Sequence, residues 1–417
     1  MSITTSSPRP RTEPAEAPAT SPAPSAPEQT ARAARRRDPW LDEARYLVML
    51  LVVTGHALSF LLDASGARGA YTWIYAFHMP VFVLISGYVS RSWAGSPRQV
   101  RTLVTGLLIP YVALNVGLDA FRSWLDGDPF APNLLDPAWT TWFLIALALW
   151  RLSTPLWSTL RAPLAVALAV SVVAGLWQVD DVVAVHRVLG LLPFYVAGLC
   201  LRPEHLELLR HTAVRVAGAV VLVASLGWVM VGNDAWTMSW LYWRDAYADA
   251  PLEAGPMGGV LTRSGLLVLG FLLSAAVLAV TPRRSGRRSE WGTRTMNAYV
   301  LHGFVLLALD AAGVFDLAAA SGALAVPVVL VGSALLGTAL MSAPIDRLVG
   351  PVISPRLPWL FREDERREED RRGAGSRTGD APSTGGGYVD VASARRRIEE
   401  RDVVAAARLG EGRRHLW

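Results

Sequence analysis

Apolar residues in this chain run in long blocks, neither alternating as in a half-buried strand nor confined to one helical stripe. A helix that crosses a bilayer needs about 20 mostly apolar residues. Ten blocks approach that length, near 44–62, 71–90, 102–121, 138–156, 162–178, 186–201, 211–232, 258–281, 296–315 and 323–344. In lipid every backbone polar group must be satisfied within its own segment, which favours helices. The pattern predicts an all-α fold, a polytopic membrane helix bundle with about ten transmembrane helices.

The flanks differ in character. Residues 1–37 are rich in Pro, Ala, Ser and Thr and hold no apolar run, which predicts a disordered tail without a secretory signal. The core is placed at 38–350. Residues 351–417 predict a second tail, charged and mostly disordered, in which a mixed charge run precedes a linker-like Gly/Ser segment.

Composition supports a membrane protein: 52% of residues are hydrophobic and 18% charged. The net charge of +5 rests entirely on arginine, since the chain has no lysine. With the N-terminus inside, the loops after even-numbered spans carry Arg91, Arg98 and Arg101, then Arg161, then Arg202 and Arg210, then Arg283, Arg284, Arg287 and Arg288. The opposite loops hold most of the acids, among them Asp126, Asp128, Asp180 and Asp245. This asymmetry predicts a multi-pass protein of the cell membrane with both termini cytoplasmic. The arginine excess is thus a topology signal and not a nucleic-acid one. A single cysteine, Cys200, excludes an internal disulfide and a multi-cysteine metal site, and reads as a packed thiol.

Ionisable residues inside spans are costly and mark candidate sites. The first span carries Arg45 and, eleven residues later, His56. That separation is close to three helical turns, so both lie on one face about 16 Å apart along the axis. Asp42, three residues before Arg45, can pair with it. The second span contains His78, then Met79-Pro80, then Ser86-Gly87-Tyr88. Pro80 predicts a kink, and Ser86 and Gly87 a close helix approach. The ninth carries His302, with Asn297 and Tyr299 before it, and the fourth begins with Trp139 and Trp142. Each also has a packing reading: a snorkelling arginine, an interhelical histidine, an interfacial tryptophan. The aromatics of 233–257 read first as an interfacial belt, with sugar stacking as the alternative. His205 and His211 have the wrong spacing for a helical metal pair, and His186 falls in a loop. The chain has no metalloprotease, P-loop or serine-hydrolase motif.

Taken together, Asp42, Arg45 and His56, the segment "FHMPVFVLISGY" at 77–88, "WFLIAL" at 142–147 and "AYVLH" at 298–302 resemble the integral membrane acyltransferase family 3. The likeness is greatest to its carbohydrate O-acetyltransferase members of the fucose 4-O-acetylase type and covers about 38–345. It implies a ten-helix core that moves an acyl group, usually acetyl, from acyl-CoA to a hydroxyl of a surface carbohydrate or lipid-linked glycan, or of a secondary metabolite. Acetyl-CoA or another acyl-CoA is then a co-substrate; no permanently bound cofactor, no metal and no nucleic acid is implied. The expected partners are acyl-CoA, a carbohydrate or glycolipid acceptor and the bilayer. On this reading His56 and His302 are the catalytic candidates, Arg45 and Asp42 meet the coenzyme, and His78, Ser86 and Trp142 contact substrate. Direct transfer and an acyl-histidine route both remain open. A proton-coupled transporter and a membrane scaffold fit the buried polar residues and the charged tail as well.

Overall fold

The computed structural model describes residues 38–178, 182–231, 237–283, 286–353, 355 and 357–361. The tail expected over 1–37, the charged run after 361, and Trp236, Asp180 and Arg284 lie outside the described residues. Among the described residues the chain is all-α, with no strand.

The first helix, α1, spans Pro39–Leu58. Asp38 caps it, its Oδ1 accepting from the Trp40 N–H at 3.0 Å, and Pro39 occupies the first turn, where a missing N–H costs nothing. Next come α2 (Ala67–Tyr75) and α3 (His78–Val89). The break between them falls just before Pro80, whose ring cannot donate to the carbonyl four residues back. Helices α4 (Pro97–Leu103) and α5 (Ile109–Asp126) are joined by a π-helical turn at Val104–Leu108. Then follow α6 (Trp142–Thr159), α7 (Pro163–Ala174), α8 (Val185–Cys200) and the short α9 (Pro203–Leu208). The second half holds α10 (Thr212–Val231), α11 (Pro256–Val280), the short α12 (Arg287–Gly292) and α13 (Thr295–Ala311). It closes with α14 (Val314–Ala320), α15 (Ala325–Leu340) and α16 (Ala343–Ile353).

Six described stretches are long and apolar enough to cross a membrane: Ala67–Val89, Pro97–Asp126, Val182–Cys200, Thr212–Val231, Pro256–Val280 and Gly322–Leu340. A seventh is added if α13 and α14, bent by 65° at their junction, form one span. The expected count of about ten is therefore not reached. Three expected spans account for the difference. Helix α1 has the length but carries Asp42, Glu43 and Arg45, and α6 is diluted by Arg151, Pro155 and three tryptophans. Helix α7 has 12 residues, about 18 Å, which is short of a bilayer's hydrocarbon core.

Packing is set by small residues. A Cβ on Gly87 of α3 would come within 2.0 Å of the Tyr195 carbonyl oxygen, and one on Gly198 within 2.1 Å of the Leu84 carbonyl oxygen. Helices α3 and α8 therefore touch backbone to backbone, as the small residues of span two led one to expect. Hydroxyl pairs tie α1 to α15: Thr54 to Ser333 and Tyr46 to Thr338, both at 2.9 Å. Helix α10 fully buries only Gly218, against Ala276 of α11; Ser225, which accepts from Trp73 Nε1, and Met230, over Gly69, also turn inward, and most of its other side chains are exposed.

Three expectations are corrected here. His186 lies inside α8 and is buried, and Cys200 is exposed at the end of that helix. The aromatics of the 237–254 segment are not simply an interfacial belt. Trp243 and Tyr247 are buried on either side of Arg263, whose guanidinium lies 5.4 and 5.1 Å from their ring centres. Arg263 is 1% exposed and donates to the carbonyls of Ser171 and Asp245, each at 3.4 Å.

Candidate functional site

The face of α1 predicted from spacing is the inner face of the site. Arg45, Met49 and His56 recur on it at helical intervals. Arg45 and Asp42 pair at 2.9 Å near the start of the helix. His56 sits in its last turn, because α1 begins at Pro39 and ends at Leu58 rather than covering 44–62. Across the bundle, α13 presents Thr295, Tyr299 and His302 at the same kind of spacing.

These two faces bring His56 and His302 together, with ring centres 5.2 Å apart and planes inclined by 43°. Trp139, just before α6, meets the His56 ring edge-on at 4.8 Å. Tyr75 is on the other side, with its hydroxyl 3.4 Å from His56 Nδ1. His78 is one ring further out, 4.6 Å from Tyr75. Its Nδ1–H donates to the Ile74 carbonyl at 2.9 Å, so this histidine is held by its own helix. Tyr71 stacks on Tyr75 at 4.0 Å and shares a 2.9 Å hydrogen bond with Tyr242.

His302 is fully buried, and its Nδ1–H donates to the carbonyls of Ala298 and Tyr299 at 2.9 and 2.7 Å. This fixes the tautomer and leaves the Nε2 lone pair facing inward. Nε2 has no hydrogen-bond partner, and neither has the buried Thr140 hydroxyl. The two orphans belong to one neighbourhood: a Cβ on Gly303, beside His302, would lie 3.3 Å from Thr140 Oγ1, and the Tyr299 hydroxyl donates to the Thr140 carbonyl. Unpaired buried polar atoms are expensive in a fold and ordinary in a reaction centre.

A groove leads toward this centre from the Arg45 end. Its outer part, about 670 Å³, is lined by Asp38, Asp42, Arg45, Tyr88, Arg91 and Thr293. Its inner part, about 270 Å³, shares Arg45, Val89 and Thr293 and continues past Ser86, Arg151 and Gly106 to Met49, Phe143, Leu144 and Tyr299. Tyr299 is one helical turn from His302. The mouth carries both signs, Arg45 and Arg91 with Asp38 and Asp42, Arg151 stands further in, and the far end is mainly apolar.

The structure thus divides the seven residues singled out from sequence. His56 and His302 meet. His78 reaches them only through Tyr75. Asp42, Arg45 and Ser86 line the groove, although the Ser86 hydroxyl is engaged with the Phe82 carbonyl at 2.8 Å. Trp142 stands by Arg187, 5.2 Å from its ring centre, with Arg122 over the neighbouring Trp139 at 5.6 Å. Sequence reading missed Thr140, Tyr75, Arg91 and Arg151. Of these, Tyr75 had a visible signal, being three residues before His78 and so on the same side of the chain. Among the described residues no cluster of three or more His, Cys, Asp or Glu can hold a metal ion.

Residues 38–342 match a protein family described as an acyltransferase domain. The nodulation protein NolL of Mesorhizobium japonicum is 41% identical over 58 residues, which is 13% of this chain and 16% of that protein. The chain therefore matches well under two thirds of this relative's length. No solved structure matches.

Proposed function

The chain belongs to this acyltransferase family, and from that premise we propose that it is an integral membrane O-acyltransferase with acyl-CoA as donor and a carbohydrate or lipid-linked glycan hydroxyl as acceptor. The observation that carries the proposal is a groove that runs from Arg45 and Arg91 to Tyr299, one helical turn from the buried His56–His302 pair. The Arg45 end is taken as cytoplasmic, with both termini on that side, because acyl-CoA is a cytoplasmic metabolite and arginines concentrate there.

Coenzyme phosphates suit the mouth, where the planar guanidiniums of Arg45 and Arg91 can bind them in pairs, with Arg151 further along the groove. Asp42 holds Arg45 in place. The inner groove takes the uncharged arm and brings the thioester toward Tyr299. The acceptor arrives from the opposite end, along the aromatic rings of Trp139, Tyr75 and Trp142, which suit the faces of sugars.

A sugar hydroxyl is a weak nucleophile until a base takes its proton. His56, partly accessible and facing this path, receives that proton at a ring nitrogen. The hydroxyl oxygen bonds to the thioester carbonyl carbon, and the carbonyl electrons move to oxygen. The Thr140 hydroxyl, buried without a partner, donates to that oxyanion. Collapse breaks the carbon–sulfur bond, and the departing thiolate takes the proton from His56. His302, fixed by two carbonyls, offers its unpartnered Nε2 as an acceptor to the incoming hydroxyl and so sets the orientation of the acceptor.

The decisive test is deletion of the gene in its host and complementation with wild type or His56→Ala, with surface glycans and extracted metabolites compared by mass spectrometry. The proposal expects one species to lose an acyl mass on deletion, restored by wild type but not by an equally abundant His56→Ala protein. An acylated metabolite in place of a glycan moves the acceptor to the second substrate class. A change in a solute's distribution with no change in acylation overturns the proposal in favour of a transporter.

A further inference from the structure

A second cavity, of about 760 Å³, opens on the same end of the bundle as Arg45 but outside the groove. It lies among the first turn of α10, the segment after α11, and α12. Its walls bring together Arg215, Arg283, Arg287, Arg288, Glu43 and Trp291. Four guanidiniums thus face one carboxylate.

That carboxylate does not balance them. Glu43 is 2% exposed, approaches Arg288 only at 3.6 Å, and leaves its buried Oε2 without a hydrogen-bond partner. Arg283 donates to the Leu206 carbonyl at 3.1 Å and lies 4.2 Å over the Trp40 ring, while its Nε is buried and unpaired. Burial first, then Arg210 and Arg215, push the Arg283 pKa down, and the carboxylates of Glu207 and Asp38 offset this only in part. The side chains of Arg215 and Arg287 make no hydrogen bond or ion pair among the described residues. Arg215, Arg287 and Arg288 reach out to solvent around the partly buried Arg283, so an anion from outside can join all four and relieve their mutual repulsion.

The position specifies the anion further. Helix α10, which supplies Arg215, is apolar and buries only Gly218 among its 20 residues, so it faces lipid. The cavity therefore opens where hydrocarbon gives way to headgroups. Guanidinium forks match phosphate oxygens, and basic pockets at this depth suit phosphorylated headgroups. We propose that the cavity walled by Arg215, Arg283, Arg287 and Arg288 binds a phosphate ester, supplied by the headgroup of an anionic phospholipid.

The site is separate from acyl transfer but adjoins it. Trp291 of α12 lines this cavity, and Gly292 and Thr293 line the groove. Gly292 rests on the Asp42 backbone so closely that a Cβ there would meet the Asp42 carbonyl oxygen. An anion held by Arg287 and Arg288 braces the wall that the two cavities share.

The test uses the purified full chain in nanodiscs of phosphatidylcholine with or without phosphatidylglycerol, with retained lipid counted by native mass spectrometry. Sodium pyrophosphate serves as the soluble phosphate. Wild type is compared with R283Q/R287Q/R288Q, with Arg287→Gln alone, which gives up no internal contact, and with R98Q/R161Q, which removes exposed cations outside the cavity. The proposal expects phosphatidylglycerol retention at least about tenfold weaker in the triple variant, a smaller loss for Arg287→Gln, and none for R98Q/R161Q. Pyrophosphate binding that the triple variant loses, without phosphatidylglycerol enrichment, supports the phosphate chemistry and overturns the lipid as its source. Retention unchanged in both cavity variants, or an equal loss in R98Q/R161Q, overturns the proposal.

Discussion

His56 of α1 and His302 of α13 stand with ring centres 5.2 Å apart, and the second is locked by two backbone carbonyls while the first is held only loosely by Tyr75. Under the proposed function the asymmetry suits them to different work. A ring that must gain and lose a proton benefits from a soft environment, and one that orients the acceptor benefits from a rigid one.

His56→Ala is expected to lower acyl transfer by about a hundredfold to ten-thousandfold, the usual worth of a general base. His302→Ala should also cost at least tenfold. Because both act on one step, the double variant should fall little below His56→Ala alone. Steady-state rates with a labelled acyl-CoA decide this; a multiplicative loss in the double variant means that the two histidines act independently.

Thr140→Val keeps the shape of the side chain and removes the unpaired hydroxyl. If that hydroxyl meets the oxyanion, kcat falls by about a hundredfold while the donor KM and thermal unfolding stay as in wild type. An unchanged kcat removes Thr140 from the reaction.

Arg45→Gln is expected to raise the KM for acyl-CoA by about tenfold to a hundredfold, with a smaller effect on kcat, since the groove mouth lies far from the histidines. Asp42→Asn should show the same pattern more weakly. A fall in kcat at constant KM rules out a coenzyme-binding role for Arg45.

Gly87→Leu tests the architecture instead of the chemistry. The Tyr195 carbonyl oxygen leaves no room for a side chain, and backbone cannot yield as a side-chain tip can. Overpacking of this kind costs about 1–3 kcal/mol, seen as a lower unfolding temperature in detergent. Activity should fall with the folded fraction. Gly332→Ala, at a position with open space beside it, is the control and should change neither.

Arg263→Leu removes the buried cation between Trp243 and Tyr247 and leaves the carbonyls of Ser171 and Asp245 without their donor. The expected cost is about 1–3 kcal/mol, with faster proteolysis in the 243–254 segment. Equal proteolysis rates mean that the segment is held by its aromatic packing alone.

Much of this was legible in the sequence because it is local. Helical class follows from the length of the apolar blocks, and the face shared by Arg45 and His56 follows from their spacing. The motif residues His56, His78 and His302 also stand out, since ionisable groups are rare in such blocks. Spans were less legible. The charged start of α1 and the 12 residues of α7 resemble their apolar neighbours until the helix ends are known. Partners were not legible at all. Lipid dissolves every face of an apolar helix almost equally, so hydrophobic periodicity does not say which helix meets which. That was decided by close approach, with Gly87 on the Tyr195 backbone, Thr54 on Ser333, and α13 set beside α1. The sequence alone determined a helical membrane protein with candidate groups distributed along it. Only the tertiary structure placed His302 against His56, left Thr140 unpaired in their neighbourhood, and brought Arg215 and Glu43 to the arginines of 283–288, because those relations join residues that no local period connects.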